Sequence, residues 1–166
     1  MFYKISDFEN DWKSESQATL KIFNTLTDES LKQQVSPEGR SLGTIAWHIT
    51  TSLGEMTKRT GLNPEGPEDG APVPEKAKDI VEAYKKASES VLEQVTKNWN
   101  DATLMLEDDM YGEMWKRGLT LAVLMVHQTH HRGQMTVLMR QAGLVVPGIY
   151  GPAREEWAQY GMPAQK

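Results

Sequence analysis

Apolar residues recur at three- and four-residue spacing in four long stretches of this chain, and that recurrence restricts the fold to packed helices. The first stretch predicts a helix from about Ile5 to Leu26, with Phe8, Trp12, Leu20, Phe23 and Leu26 on its apolar side. The second runs from Ser41, a plausible N-cap, to about Gly61, with Leu42, Ile45, Ile49 and Leu53 in a stripe. The third spans Glu75 to Asn98 through Ile80, Tyr84, Ala87, Val91 and Val95. The fourth, Leu119 to Gln141, is apolar around most of its circumference (Leu121, Val123, Leu124, Met125, Val126, Val137, Leu138, Met139). Such a helix belongs in the middle of a structure, here the core on one side and a partner subunit on the other. A short last helix is expected over Ala153 to Tyr160.

Thr27-Asp28-Glu29-Ser30 reads as the cap of a short turn, and Pro37-Glu38-Gly39 as a break. A Gly-, Pro- and acid-rich loop covers Asn63 to Pro74. Residues 98–118 carry no helical stripe and read as a short hairpin or an ordered loop. One domain over residues 1–166, an all-α four-helix bundle with a short C-terminal helix, accounts for the whole pattern.

Composition removes several function classes. A net charge of -5 with scattered Lys and Arg opposes nucleic-acid binding, which needs clustered cations. No apolar run approaches the ~20 residues of a membrane span, and the charged N-terminus offers no signal peptide. The expected location is cytoplasmic. With no cysteine, the chain has no disulfide, no thiolate metal ligand and no thiol nucleophile of its own. Trp12, Trp47, Trp99, Trp115 and Trp157 read as packing anchors.

Three of the four histidines, His127, His130 and His131, stand in one short run. On a helix, His127 and His131 stack on one face, which also carries Leu124, Met135 and Leu138 and so points inward. Two imidazoles so placed can share one metal ion. The plainer reading is a pair of hydrogen-bonded core histidines. That reading leaves ring nitrogens wanting partners, at roughly 1–3 kcal/mol for each group unsatisfied. His48, between Ile45 and Ile49, supplies a third ligand if the second helix faces the fourth. Three neutral ligands leave open coordination positions, whereas structural zinc sites are closed by four. His130 lies about 100° around the helix from His131 and should miss the site. A register using His127 and His130 is the rival.

Trp47-His48-Ile49 together with His127-Gln128-Thr129-His130-His131-Arg132-Gly133-Gln134 resemble the DinB/YfiT-like superfamily. The likeness extends to Glu38-Gly39-Arg40-Ser41-Leu42 and to Pro147-Gly148-Ile149-Tyr150-Gly151-Pro152, and so covers nearly the whole chain. It implies a bundle of up-down-down-up topology, usually dimeric, with a divalent metal on His48, His127 and His131. Relatives of known activity in that superfamily include transferases and isomerases that use low-molecular-weight thiols.

Three functions are then in view. The first is a metal-dependent S-transferase in which zinc or nickel stabilises the thiolate of a small co-substrate, with Arg132, Arg117, Lys58 and Arg59 available as cations for its pocket. The second is metal-dependent hydrolysis. Its candidate general base is Glu55, seven residues after His48, although a solvated residue near a helix end is the simpler account of Glu55. The third is a metal-binding protein without catalysis. The expected partners are a small-molecule substrate and a second copy of the chain, paired through the first and fourth helices.

Overall fold

The computed structural model describes residues 1–164. Four helices carry the chain: α1, Ile5–Phe23; α2, Leu42–Lys58; α3, Ala77–Asn98; and α4, Arg117–Gln141. They form an all-α four-helix bundle. Around the bundle α1 packs on α3, α3 on α2, α2 on α4, and α4 on α1. This order sets α2 against α4, the condition under which His48 joins the other histidines.

Helix boundaries follow local chemistry. The Ser41 hydroxyl accepts from the Thr44 N–H at 3.1 Å and starts α2. The Thr27 side chain accepts from Ser30 N–H, and the Ser30 side chain from Thr27 N–H, which begins the 3₁₀ turn Ser30–Lys32. Asp28, read as part of that cap, instead accepts from the Ala77 N–H at 2.9 Å and so serves the first turn of α3. The expected end of the first helix moves from Leu26 to Phe23, with Leu26 still buried in the turn that follows.

Residues 98–118 resolve into a 3₁₀ turn, Asp101–Met105, and a hairpin of β1, Glu107–Met110, with β2, Glu113–Lys116. Its two-residue loop is Tyr111-Gly112, with φ of 62° and 90°. Both residues of a type I′ loop need positive φ, which Gly adopts freely and Tyr does not. The last helix proves to be a 3₁₀ helix, Arg154–Tyr160.

Phe8, Trp12, Ile22, Phe23, Ile49, Leu53, Ile80, Tyr84, Val91, Leu121 and Leu124 lie in one buried apolar cluster to which all four helices contribute. The inner face of α1 differs from the expected stripe. Leu20 is only partly buried, while Ser16 and Thr19 are buried. The reason is a polar layer. Arg132 donates to the Thr19 hydroxyl and to the Glu15 carbonyl, at 2.8 and 2.9 Å. Tyr84 donates to Gln128 Oε1 at 2.6 Å. Small hydroxyl residues on α1 make room for that layer, and Thr19 accepts from Arg132, while Gln128 Nε2 and Arg132 Nε stay buried without a partner. On α4, Val126 and Val137 are exposed, so this helix is not covered on every side within one chain.

Candidate metal centre

His48 enters from α2, where Ile45 and Ile49 hold its helix face against α4. His127 and His131 stand one turn apart on α4, beside the buried Leu124, Met135 and Leu138. The three rings meet edge to face, with centroids 4.5 to 4.9 Å apart. His127 Nε2 lies 3.2 Å from His48 Nε2 and 3.1 Å from His131 Nε2. Among the described residues, these three offer ligand atoms that all lie within 4.8 Å of one another.

Protonation makes this arrangement informative. The Gln134 amide nitrogen lies 3.1 Å from His130 Nε2, and its oxygen lies 2.7 Å from His131 Nδ1. With the amide so oriented, its oxygen accepts the His131 Nδ1 proton, and His131 Nε2 is left with a bare lone pair aimed at the other rings. Burial pushes all three histidines below the ordinary 6.5, and His127 is pushed down to about 4, with the neighbouring imidazoles adding to the effect. At neutral pH the group is three uncharged imidazoles. His127 Nδ1 is buried without a hydrogen-bond partner. Without an ion, the three converging nitrogens can at most share the single proton of His127 Nε2, whereas one cation takes a lone pair from each. A tetrahedral ion with Zn–N of ~2.0–2.1 Å sets its nitrogens about 3.3–3.4 Å apart, close to the separations here. The donor set therefore fits a divalent metal ion.

His130 is exposed and lies beside the group, its ring 4.9 Å from that of His131, joined to it through Gln134. Glu55 is held apart from the three ligand atoms. Arg59 Nε donates to its Oε1 at 2.8 Å and the Tyr111 hydroxyl to its Oε2 at 2.6 Å. Burial and Glu55 together push the Tyr111 phenol up to about 12.

The cations anticipated for a thiol pocket are all engaged elsewhere. Arg132 pairs with Glu15, Arg117 with Asp108, Lys58 with Glu68 and Arg59 with Glu55. Arg132 is buried and ties α4 to α1 and to Tyr150. Two residues that sequence reasoning passed over matter more. Gln134 stands three residues after His131 and four after His130, spacings that place it beside both on a helix. Arg40 precedes the cap of α2, and its positive charge reaches His48, His127 and His131.

The sequence model of the DinB family matches residues 1–165. The chain belongs to the DinB family. Like this DinB chain, an uncharacterized protein of Bacillus subtilis (strain 168), YrdA, spans the full length, with 46% identity over 166 residues covering 100% of this chain and 99% of the relative. The crystal structure of a DinB-like protein from Bacillus cereus ATCC 10987 is similar with a TM-score of 0.87 and 43% identity, over 90% of this chain and 100% of that one. A second, the DinB-like YjoA of Bacillus subtilis, shares the fold at a TM-score of 0.66 and 18% identity, over 86% and 96%. No helix among the described residues is long and apolar enough to cross a membrane.

Proposed function

We propose that this DinB protein holds one divalent metal ion on His48, His127 and His131 and works as a small-thiol-dependent S-transferase. The observation that carries the reading is the convergence of three neutral Nε2 atoms, two of their separations being 3.1 and 3.2 Å. Bound there, zinc or nickel would supply a Lewis-acid centre that stabilises a thiolate, the nucleophilic form of sulfur.

The chain's own residues then have definite work. Burial keeps the three imidazoles unprotonated at neutral pH, so protons do not compete for the nitrogens. Gln134 holds the His131 Nδ1 proton and thereby the ring orientation. Three protein donors leave positions for exogenous ligands, unlike a closed four-ligand structural site. With no cysteine in the chain, the sulfur arrives with a co-substrate. Both oxygens of Glu55 are already engaged, by Arg59 and Tyr111, which weakens its candidacy as the base of the hydrolytic alternative. We further propose a homodimer through α1 and α4, supported by the exposed Val126 of α4.

The test uses untagged protein. Elemental analysis is expected to find about one divalent ion per chain, reduced strongly in His48→Ala, His127→Ala and His131→Ala and retained in His130→Ala. The metal-loaded protein is then assayed with a small thiol and an aryl halide, and separately with ester and amide substrates in the absence of thiol. Thiol-dependent turnover lost in the three ligand variants supports the proposal. Hydrolysis without thiol replaces it with the second reading, and metal binding without turnover leaves a binding protein. Light scattering at twice 18.7 kDa is the expected result for the dimer.

A further inference from the structure

A cavity of about 420 Å³ lies between the segment before α2 and the second half of α4. Its apolar lining is Val35, Ile45, Val137 and Leu138, and its polar lining includes Arg40 and Gln134. Ile45 and Leu138 are buried, while Val35 and Val137 are 69% and 55% exposed. The cavity shares a wall with the three-histidine group. Gln134 is the amide that holds His131 Nδ1, and Ile45 stands one turn before His48 on α2.

Arg40 differs from four of the chain's five other arginines. Arg59, Arg117, Arg132 and Arg140 each pair with a carboxylate. Arg40 has no ion pair and no side-chain hydrogen bond among the described residues, and it lines this cavity. Its charge also reaches all three imidazoles. A guanidinium presents a fork of N–H donors that matches a carboxylate, and it binds one best beside an apolar surface that excludes water. A few hundred cubic ångströms of mostly apolar lining with one or two placed polar groups is the ordinary form of a small-ligand pocket.

We infer that this cavity is the recognition arm of the site: Arg40 receives the carboxylate of a small co-substrate whose apolar body lies on Ile45, Val137 and Leu138. The reacting end of that molecule is directed toward the histidines past Gln134. Only this last step rests on the metal-dependent reading; the contact of a carboxylate with Arg40 stands without it.

The experiment titrates zinc-loaded protein with hexanoate and, separately, with 1-hexanol, following by NMR the methyl signals of Val35 and Val137 and the Nε–Hε signal of Arg40. Hexanoate is expected to shift all three and to bind about tenfold more tightly than hexanol, the ratio a charge-assisted hydrogen bond of ~1.4 kcal/mol gives. Arg40→Gln should abolish that preference, and Arg40→Lys should keep part of it. The same titration of the His48→Ala variant separates two sources of carboxylate binding. Retained shifts place the anion on Arg40, and lost shifts place it on the metal ion and overturn the proposal. Equal binding of the two probes by the unaltered protein overturns it as well, as does a preference that survives Arg40→Gln. Signals of Val35 and Val137 that move only with protein concentration would assign the cavity to a second copy of the chain instead. If zinc binding fails while the hexanoate preference stands, the metal reading falls and the carboxylate site remains.

Discussion

Replacing Arg132 by Met separates two roles for the one cation in the histidine run. The Arg132 side chain is 4% exposed and that of its partner Glu15 is 17% exposed. Nη1 donates to the Glu15 carbonyl and to Thr19 Oγ1, and Nη2 to the Glu15 carboxylate, Thr129 Oγ1 and the Tyr150 hydroxyl. Met keeps most of the length and removes every one of these bonds. Glu15 retains the Tyr150 hydroxyl at 2.7 Å but loses its counter-charge. Breaking a buried pair from one side costs roughly 3–5 kcal/mol. Because Glu15 keeps some contact with solvent, the expected cost is at the lower end, about 3 kcal/mol. At roughly 2–4 °C per kcal/mol for a chain of this size, Tm should fall by about 6–12 °C. Urea unfolding should show a lower midpoint with an unchanged slope. The double variant Glu15→Gln/Arg132→Met removes both charges, and its cost should fall short of the sum of the single costs by more than about 1 kcal/mol. Metal content should stay at about one ion per chain. A loss under about 1 kcal/mol in Arg132→Met, or strict additivity in the double variant, would refute the reasoning. Normal stability with lost thiol turnover would return Arg132 to the co-substrate pocket.

Three further outcomes are expected. Gln134→Leu removes the acceptor for His131 Nδ1–H, so zinc affinity measured against a chromophoric chelator should drop about 10–100-fold; an unchanged affinity would show that the amide does not orient the ring. Metal-free protein should lose stability as pH falls from about 6.5 toward about 4. In that window the unfolded histidines bind protons that burial keeps off the folded ones, so stability rises with pH; urea midpoints that stay flat there, or a slope unchanged in His127→Asn, would contradict this sign. Gly118→Ala drives a Cβ into the Phe2 carbonyl oxygen, where Phe2 N–H also donates to the Gly118 carbonyl at 2.9 Å; the N-terminal segment must shift, at about 1–3 kcal/mol by urea unfolding, and a change under about 0.5 kcal/mol would mean that it gives way freely.

Local spacing carried much of this protein. The stripe through Ile80, Tyr84, Ala87, Val91 and Val95 marks α3 because a helix repeats every 3.6 residues whatever surrounds it, and all five side chains are buried. The Ser41 cap, the four-residue step from His127 to His131 and the separation of His130 from it are likewise properties of a few consecutive residues. Tertiary structure decided the rest, because it depends on which distant residues meet. His48 and His127 are 79 positions apart, and only the packing of α2 on α4 brings them to 3.2 Å. Arg132 lies 117 positions from Glu15, and Asp28 lies 49 from the Ala77 N–H it caps. No local period encodes such partners. The same holds for Tyr111, whose residue type is wrong for its hairpin position until Glu55 and Arg59, on a helix over 50 residues earlier, are seen to receive it. In the sequence Arg40 stood only as part of the Glu38-Gly39-Arg40-Ser41-Leu42 block, with no role attached. The fold left it without a carboxylate partner and at the edge of an apolar cavity beside the histidines, while Arg59, Arg117 and Arg132 pair with Glu55, Asp108 and Glu15.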